Sequence, residues 1–310
     1  MIDIVRLYKS YKNSEDILKN INLTINDNEV TALLGHNGSG KSTLIKCMVG
    51  VLKPTQGSAY IEGKDIFDNR KKLLKYIGVV FNQKPSFIVD LTISDNLLFF
   101  KSIYNINDED FNKALELINT YINIENLLDK PYRKLSFGER VKCEITSVLL
   151  HSPKYIFLDE PTIGLDYNAK KGLYLLLDHY KKENHSTILI TTHEVDYIEG
   201  ICNRAIILSK GEVKYDGRVE TVCNSLNHRA TINIEFAQII DEEKAKKIIQ
   251  GASAFNKDEQ TITFTCFHTE EKDRLLSDLI KAFSISSINT TSASLREVFE
   301  DVLKEIVESK

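Results

Sequence analysis

Short runs of consecutive apolar residues, each stopped by a turn former or a carboxylate, recur along the chain as far as about residue 220. Val30–Leu34, Tyr155–Leu158, Thr187–Thr191 and Ala205–Leu208 are of this kind. A strand that stays apolar without alternating is covered on both faces, so these runs predict interior strands of a layered sheet. Between them the period changes to that of a helix. Phe111, Leu115, Ile118 and Ile122 fall on one helix face, as do Val141, Ile145, Val148 and Leu149. Strands and helices in alternation predict an α/β core over residues 1–224.

The pattern changes near residue 225. Asn224–His228 reads as a short linker. Beyond it Thr231–Phe236 and Thr261–Phe267 read as strands, each followed by a charged helix, near 241–250 and 270–283. Leu295, Val298, Phe299, Val302, Leu303 and Ile306 share one face of a last amphipathic helix. Residues 225–310 are therefore expected to form a small α+β appendage.

Composition changes this picture little. The 310 residues are 42% hydrophobic and 27% charged, enough apolar surface for a large domain and a small one. With 40 basic against 44 acidic residues, the net charge of −4 argues against a protein held to nucleic acid by phosphate neutralisation. No run approaches the roughly 18 apolar residues that span a bilayer, and Met1–Arg6 lacks a signal-peptide layout. A cytoplasmic protein is expected. Its five cysteines show no C-x-x-C spacing, which suits buried, reduced thiols.

The chemistry is carried by the ends of the apolar runs. Val30–Leu34 leads into Gly35-His36-Asn37-Gly38-Ser39-Gly40-Lys41-Ser42, followed by Thr43. This is G-x-x-x-x-G-K-[ST] between a predicted strand and a predicted helix, the pattern of a phosphate-binding loop. Its glycines permit a turn whose backbone N–H groups point at phosphate oxygens, and the helix start adds its positive end. Lys41 is expected to reach the β- and γ-phosphates and the Ser42 hydroxyl to ligate Mg²⁺. The plain alternative is a glycine-rich turn without a ligand.

Tyr155–Leu158 ends in Asp159 and Glu160. Asp159 suits Mg²⁺ held through a hydration water. Glu160, one residue on, is placed to take a proton from an attacking water. Two acids at a strand end are by themselves often a solvated turn; the phosphate loop tips the reading toward a catalytic pair. Thr187–Thr192 delivers His193 in the same way, although a lone histidine after a strand is usually structural.

In this order the elements resemble the ABC ATPase family. Leu135-Ser136-Phe137-Gly138-Glu139-Arg140 is similar to its signature motif, Pro161–Asp166 to its D-loop and Val79–Gln83 to its Q-loop. Tyr11 stands where the family keeps an aromatic residue to stack on adenine. The resemblance covers roughly residues 2–220. It implies a P-loop NTPase (ABC ATPase) core whose helical subdomain spans about 84–150, with ATP and Mg²⁺ as ligands. On it, Tyr11, residues 35–43, Gln83, Ser136, Gly138 and Asp166 address the nucleotide, and Ser42, Gln83 and Asp159 the metal. Glu160 is the implied base, while His193 and Lys41 stabilise charge on the transferred phosphoryl group.

The family's signature has glycine where Phe137 stands, and often glutamine where Glu139 stands; Ser136 and Gly138 are retained. Ser136 and Glu139 also have the spacing of a helix capping box. In the family this helix start addresses the γ-phosphate held by the opposite subunit, so that two chains sandwich two ATP. In the tail, Ser294–Phe299 is similar to ATPase subunits that serve ABC-2-type exporters.

The expected protein is thus the ATP-hydrolysing subunit of a transporter, probed at the segment after Gln83 by a separate membrane-spanning permease. It would pair with a second copy or a paralogous ATPase, bind no nucleic acid, and sit at the cytoplasmic face of the membrane through the permease. Two rivals share the motifs. A soluble ABC ATPase acting on ribosomes or DNA typically carries a second cassette or a long coiled coil, neither of which is visible. A non-hydrolysing regulatory module conflicts with the retained catalytic residues.

Overall fold

A computed structural model describes residues 1–11, 15–81, 86–192, 200–219, 230–238, 242–249, 255–258, 261–266 and 269–292. It divides into two compact units, Met1–Gly217 and Arg218–Lys310. The linker expected at Asn224–His228 and the amphipathic helix expected over 295–306 lie outside the described residues.

The first unit is built on two sheets. One has the order β10-β9-β3-β8-β7-β6, formed by Glu212–Arg218 (β10), Arg204–Ser209 (β9), Val30–Leu34 (β3), Thr187–Thr191 (β8), Tyr155–Asp159 (β7) and Ile77–Val80 (β6). The pairs β9–β3, β3–β8, β8–β7 and β7–β6 are parallel. Every residue of β3, β7 and β8 is buried, as their unbroken apolar runs require.

The other sheet is antiparallel and was not expected. Its order is β2-β1-β4-β5, from Asp16–Ile25 (β2), Ile2–Ser10 (β1), Gln56–Ile61 (β4) and Lys64–Asp65 (β5). Helix α1 (Lys41–Met48) contributes Leu44, Ile45, Cys47 and Met48 to a core shared with Ile4 and Leu7 of β1, Ile21 of β2, and Phe157 of β7. The helix that opens at the phosphate loop is thereby clamped by both sheets.

After the short α2 (Arg70–Leu73) and β6, a helical region follows: α3 (Ile93–Tyr104), α4 (Asp108–Ile122) and α5 (Phe137–Leu149). Each begins at a side-chain cap. The Thr92, Asn107 and Ser136 side chains accept from the backbone N–H three residues on. On α4 the buried stripe is Phe111, Ala114, Ile118 and Ile122, so Ala114 takes the inward place expected for Leu115. Helix α6 (Tyr167–Glu183) packs on α4 at Gly172, where a Cβ would lie 2.0 Å from the Tyr121 carbonyl oxygen. Only glycine fits there.

The second unit runs β11 (Ala230–Phe236), α7 (Glu242–Ile248), β12 (Phe255–Asp258), β13 (Thr261–Cys266), α8 (Thr269–Ala282) and β14 (Ile285–Ser292). Its sheet has the order β12-β13-β11-β14 with every pair antiparallel, a split β-α-β arrangement. Ile232, Ile234, Phe236, Ile262 and Phe264 of the strands meet Ala245, Leu275 and Leu279 in one core. β12 and β14 were not anticipated, because FNKD and ISSINTTS lack the apolar content that marks a strand.

Candidate nucleotide site

The loop between β3 and α1 depends on glycines that no other residue can replace cheaply. Gly35 has φ 149° and Gly40 φ 109°. A Cβ on Gly35 would stand 2.2 Å from the Leu208 carbonyl oxygen and 2.7 Å from Ser39 Oγ. Gly40 is the N-cap of α1 and offers no side chain to its first-turn N–H groups, which remain available to an anion.

Lys41 closes over this loop. Its ammonium donates to the Gly35 carbonyl oxygen at 2.7 Å and to that of His36 at 3.2 Å. The side chain is buried (6% exposed). Burial lowers its pKa, and the nearby Glu160 and Asp159 carboxylates oppose that shift. An ammonium resting on neutral carbonyls in a half-dry site gains by moving to a phosphate.

The acidic strand end faces the same space. Asn37, Gly38, Gly40, Lys41, Ser42, Thr43, Asp159 and Glu160 line one cleft of about 660 Å³, together with Ile17 and Phe137. Asp159 is buried, and its Oδ1 accepts a hydrogen bond from Thr191 Oγ1 at 2.7 Å. Thr191 Oγ1 in turn accepts from the Glu160 N–H at 2.9 Å. Glu160 is held at φ 54°, a left-handed conformation that costs a non-glycine residue about 1–3 kcal/mol. Strain of this kind persists where surrounding bonds enforce it, and here Thr191 enforces it from the next strand.

Thr191 was not singled out in the sequence. Its only signal was a polar residue closing the apolar run of β8, shared with many strand ends. Ile17 gave no signal at all.

At α5 the Ser136 side chain accepts from the Glu139 N–H, and the Glu139 carboxylate accepts from the Ser136 N–H at 2.8 Å, completing the capping box. That backbone bond, first among several, holds the Glu139 carboxyl below the usual carboxylate range. Ser136 is exposed and Gly138 is partly so. Neither lines the cleft of its own chain.

Other expected site residues are not gathered there. Asp166 caps α6, its Oδ1 accepting from the Ala169 N–H at 2.8 Å, and it lies outside the cleft lining. Its short side chain is spent on the helix start. Tyr11 is 47% exposed with the Lys9 ammonium 5.4 Å from its ring centroid. Gln83 and His193 lie outside the described residues.

Comparison with known proteins adds a frame to this geometry. A family model described as ABC transporter matches residues 18–163. The energy-coupling factor transporter ATP-binding protein EcfA3 of Clostridium perfringens is 31% identical over 242 residues, covering 77% of this chain and 85% of that protein. Among solved structures, cbiO1 from Clostridium perfringens, part of the ABC transporter complex cbiONQ, superposes with a TM-score of 0.62. It is 30% identical, covering 81% of this chain and 94% of that one. A dimeric post-hydrolysis state of the ATP-binding cassette MJ0796, bound to ADP and Pi, gives a TM-score of 0.64. There the identity is 29%, over 70% of this chain and 98% of that one.

Proposed function

The chain belongs to the ABC transporter family as an ATP-binding subunit and ATPase, and from that premise we propose that it drives a separate membrane permease by ATP-dependent pairing of two cassettes. The observation that carries this reading is the single cleft that unites Lys41, Ser42, Asp159 and Glu160.

In the proposed mechanism the ATP phosphates occupy the turn of residues 35–43. Lys41 leaves the Gly35 and His36 carbonyls for the β- and γ-phosphate oxygens. Glu160 accepts a proton from the attacking water, and Lys41 and His193 stabilise charge on the phosphoryl group in transfer. Mg²⁺ fits the donors present. Ser42 and Asp159 offer only oxygen, and among the described residues no group of three or more His, Cys, Asp or Glu would hold a metal unaided. That matches an ion bound by one or two protein oxygens together with phosphates. Ser42 and Gln83 would hold it, with Asp159 acting through a water, and when bound it would neutralise charge between the β- and γ-phosphates. Tyr11 would carry the adenine.

Ser136, exposed in one chain, and the partly exposed Gly138 would meet the γ-phosphate of the other. A dimeric structure of the ATP-binding cassette MJ0796 in a post-hydrolysis state, bound to ADP and Pi, supports pairing of cassettes. ATP then favours the paired state and ADP the open one, and a permease bound to both halves responds to that equilibrium.

The permease needs a surface. Leu98, Phe99 and Ile103 on α3 are exposed, with Ile88 and Val89 exposed just before it. This apolar patch lies in the segment after Gln83 and supports docking of an apolar helix there. Among the described residues no helix is long and apolar enough to cross a membrane, so the bilayer-spanning part would come from that partner.

For the partner's kind, the likeness of Ser294–Phe299, which lie outside the described residues, supports an ABC-2-type exporter. A second reading, a permease of the energy-coupling factor kind, is favoured by the identity to EcfA3. Purified permeases of either kind separate the two, since only the cognate one raises ATP turnover of the chain. The function itself is tested by ATP turnover of the purified chain beside Lys41→Ala. Turnover that vanishes in the variant is expected. A chain that binds ATP yet never hydrolyses it, with or without a permease, would contradict the reading.

A further inference from the structure

The signature helix and the catalytic turn of one chain meet where two glycines allow it. A Cβ on Gly138 would lie 2.3 Å from the Gly164 carbonyl oxygen, so the start of α5 rests directly on the backbone of the turn. Gly164 has φ 79°, and a Cβ there would lie 2.3 Å from Phe137 Cδ1 and 2.8 Å from Cε1. The Phe137 ring therefore covers the crest of the turn at van der Waals distance. It is otherwise 50% exposed and forms part of the cleft wall with Lys41 and Glu160.

The turn beneath it is fixed at both ends. At its start the Glu160 N–H donates to Thr191 Oγ1 and to the Thr191 carbonyl at 3.1 Å. At its finish Asp166 caps α6. In between, Thr162 and Leu165 are buried, and the Leu165 N–H donates to the Thr162 carbonyl at 3.1 Å. Only the crest projects, and Phe137 holds it. A glycine at 137 would remove the ring from Gly164 and leave the backbone contact of Gly138 with the turn.

We propose that Phe137 is a positioning residue that makes the signature helix and the Glu160 turn one rigid body. The proposal rests on the ATP-sandwich reading above. In a two-fold pair, Ser136 and Gly138 of a chain serve the ATP of its partner, while Glu160 serves its own. A rigid tie between them inside each chain makes closure on one ATP set the base at the other. The two sites then act together, and this appears as a coupling free energy between them.

The test compares the parent with Phe137→Ala and Phe137→Leu, measuring ATP turnover against ATP concentration, ATP affinity of the isolated chain, and melting temperature. Phe137→Ala removes the ring and keeps helix propensity; Phe137→Leu keeps an apolar group on Gly164. The parent is expected to show a Hill coefficient approaching about 2, the number of sites. In Phe137→Ala it falls toward about 1 and turnover drops about tenfold. Phe137→Leu restores most of the cooperativity. A purely structural role would move melting temperature and affinity together and leave the Hill coefficient alone, and that result overturns the proposal. A parent that hydrolyses ATP cooperatively, matched by an equally cooperative Phe137→Ala, overturns it while sparing the sandwich. A parent that neither hydrolyses ATP nor pairs in it, with or without a permease, overturns the sandwich reading and the proposal with it.

Discussion

The phosphate loop and the signature segment are both glycine-marked entries into a helix, yet the chain finishes them to different degrees. At α1 the N-cap is Gly40 with no side-chain cap, a buried lysine rests on carbonyls, and both carboxylates stand opposite. At α5 the N-cap is Ser136 in a complete capping box, and Glu139 puts a carboxylate into the first turn. Uncapped N–H groups and Lys41 favour an anion at the first. At the second the capping box is complete, and Glu139, paired with Lys130 at 3.3 Å, offsets the positive helix end. On the proposed reading, the signature end meets a phosphate that Lys41 of another chain already partly neutralises. This difference would let one chain bind ATP while the reaction needs two.

The widest separation between the two ends comes from Glu160→Gln, which should slow turnover by about 10²–10⁴ while ATP still binds. Stopped assays with labelled ATP check both numbers. Lys41→Ala breaks the complete end. It should weaken ATP binding by about 10–100-fold, the worth of a hydrogen bond to a charged group, as titration calorimetry would measure. Ser136→Ala breaks the other end. ATP affinity of the isolated chain should stay within about twofold, while loss of the cap costs about 1 kcal/mol in chemical denaturation. Glu139→Gln sharpens the comparison most finely. Removing the first-turn carboxylate should strengthen ATP-dependent pairing by about 0.3–1 kcal/mol, read as a shift in dimer dissociation constant.

Acid offers a related check. The Glu139 carboxyl is held below its ordinary range in the fold, so its contribution to stability is present above the unfolded value and is lost as pH falls through the lowered one. Melting temperature between about pH 6 and pH 3 should fall more steeply in the parent than in Glu139→Gln, since Asp27 and Glu62, also held low, contribute to both.

Much of this site was legible before any coordinates. The apolar runs of β3, β7 and β8 place their polar ends at one edge of a parallel sheet, and residues 35–43, 159 and 160 follow from that. What escaped has physical causes. In β1 the alternation is broken at Arg6, with φ 43° and register shifts around it, where Gly57 packs so closely that a Cβ would lie 2.1 Å from the Arg6 carbonyl oxygen. A bulged strand does not show period two. Ala114 displaced Leu115 from the inward stripe of α4 because close helix packing favours the smaller side chain. Thr191 acts through tertiary pairing of β7 with β8, which no local pattern encodes. Asp166 was read only as part of a loop motif; in the fold its side chain caps α6.

The central claim is that one chain holds half a reaction site and ATP brings two halves together. Light scattering of the Glu160→Gln variant during size-exclusion chromatography, with ATP and Mg²⁺ and then with ADP, tests it most directly. The account predicts a dimer in ATP and a monomer in ADP, with Ser136→Ala in the same background shifting the ATP sample toward monomer. A variant that binds ATP but stays monomeric at every concentration up to tens of micromolar would contradict it.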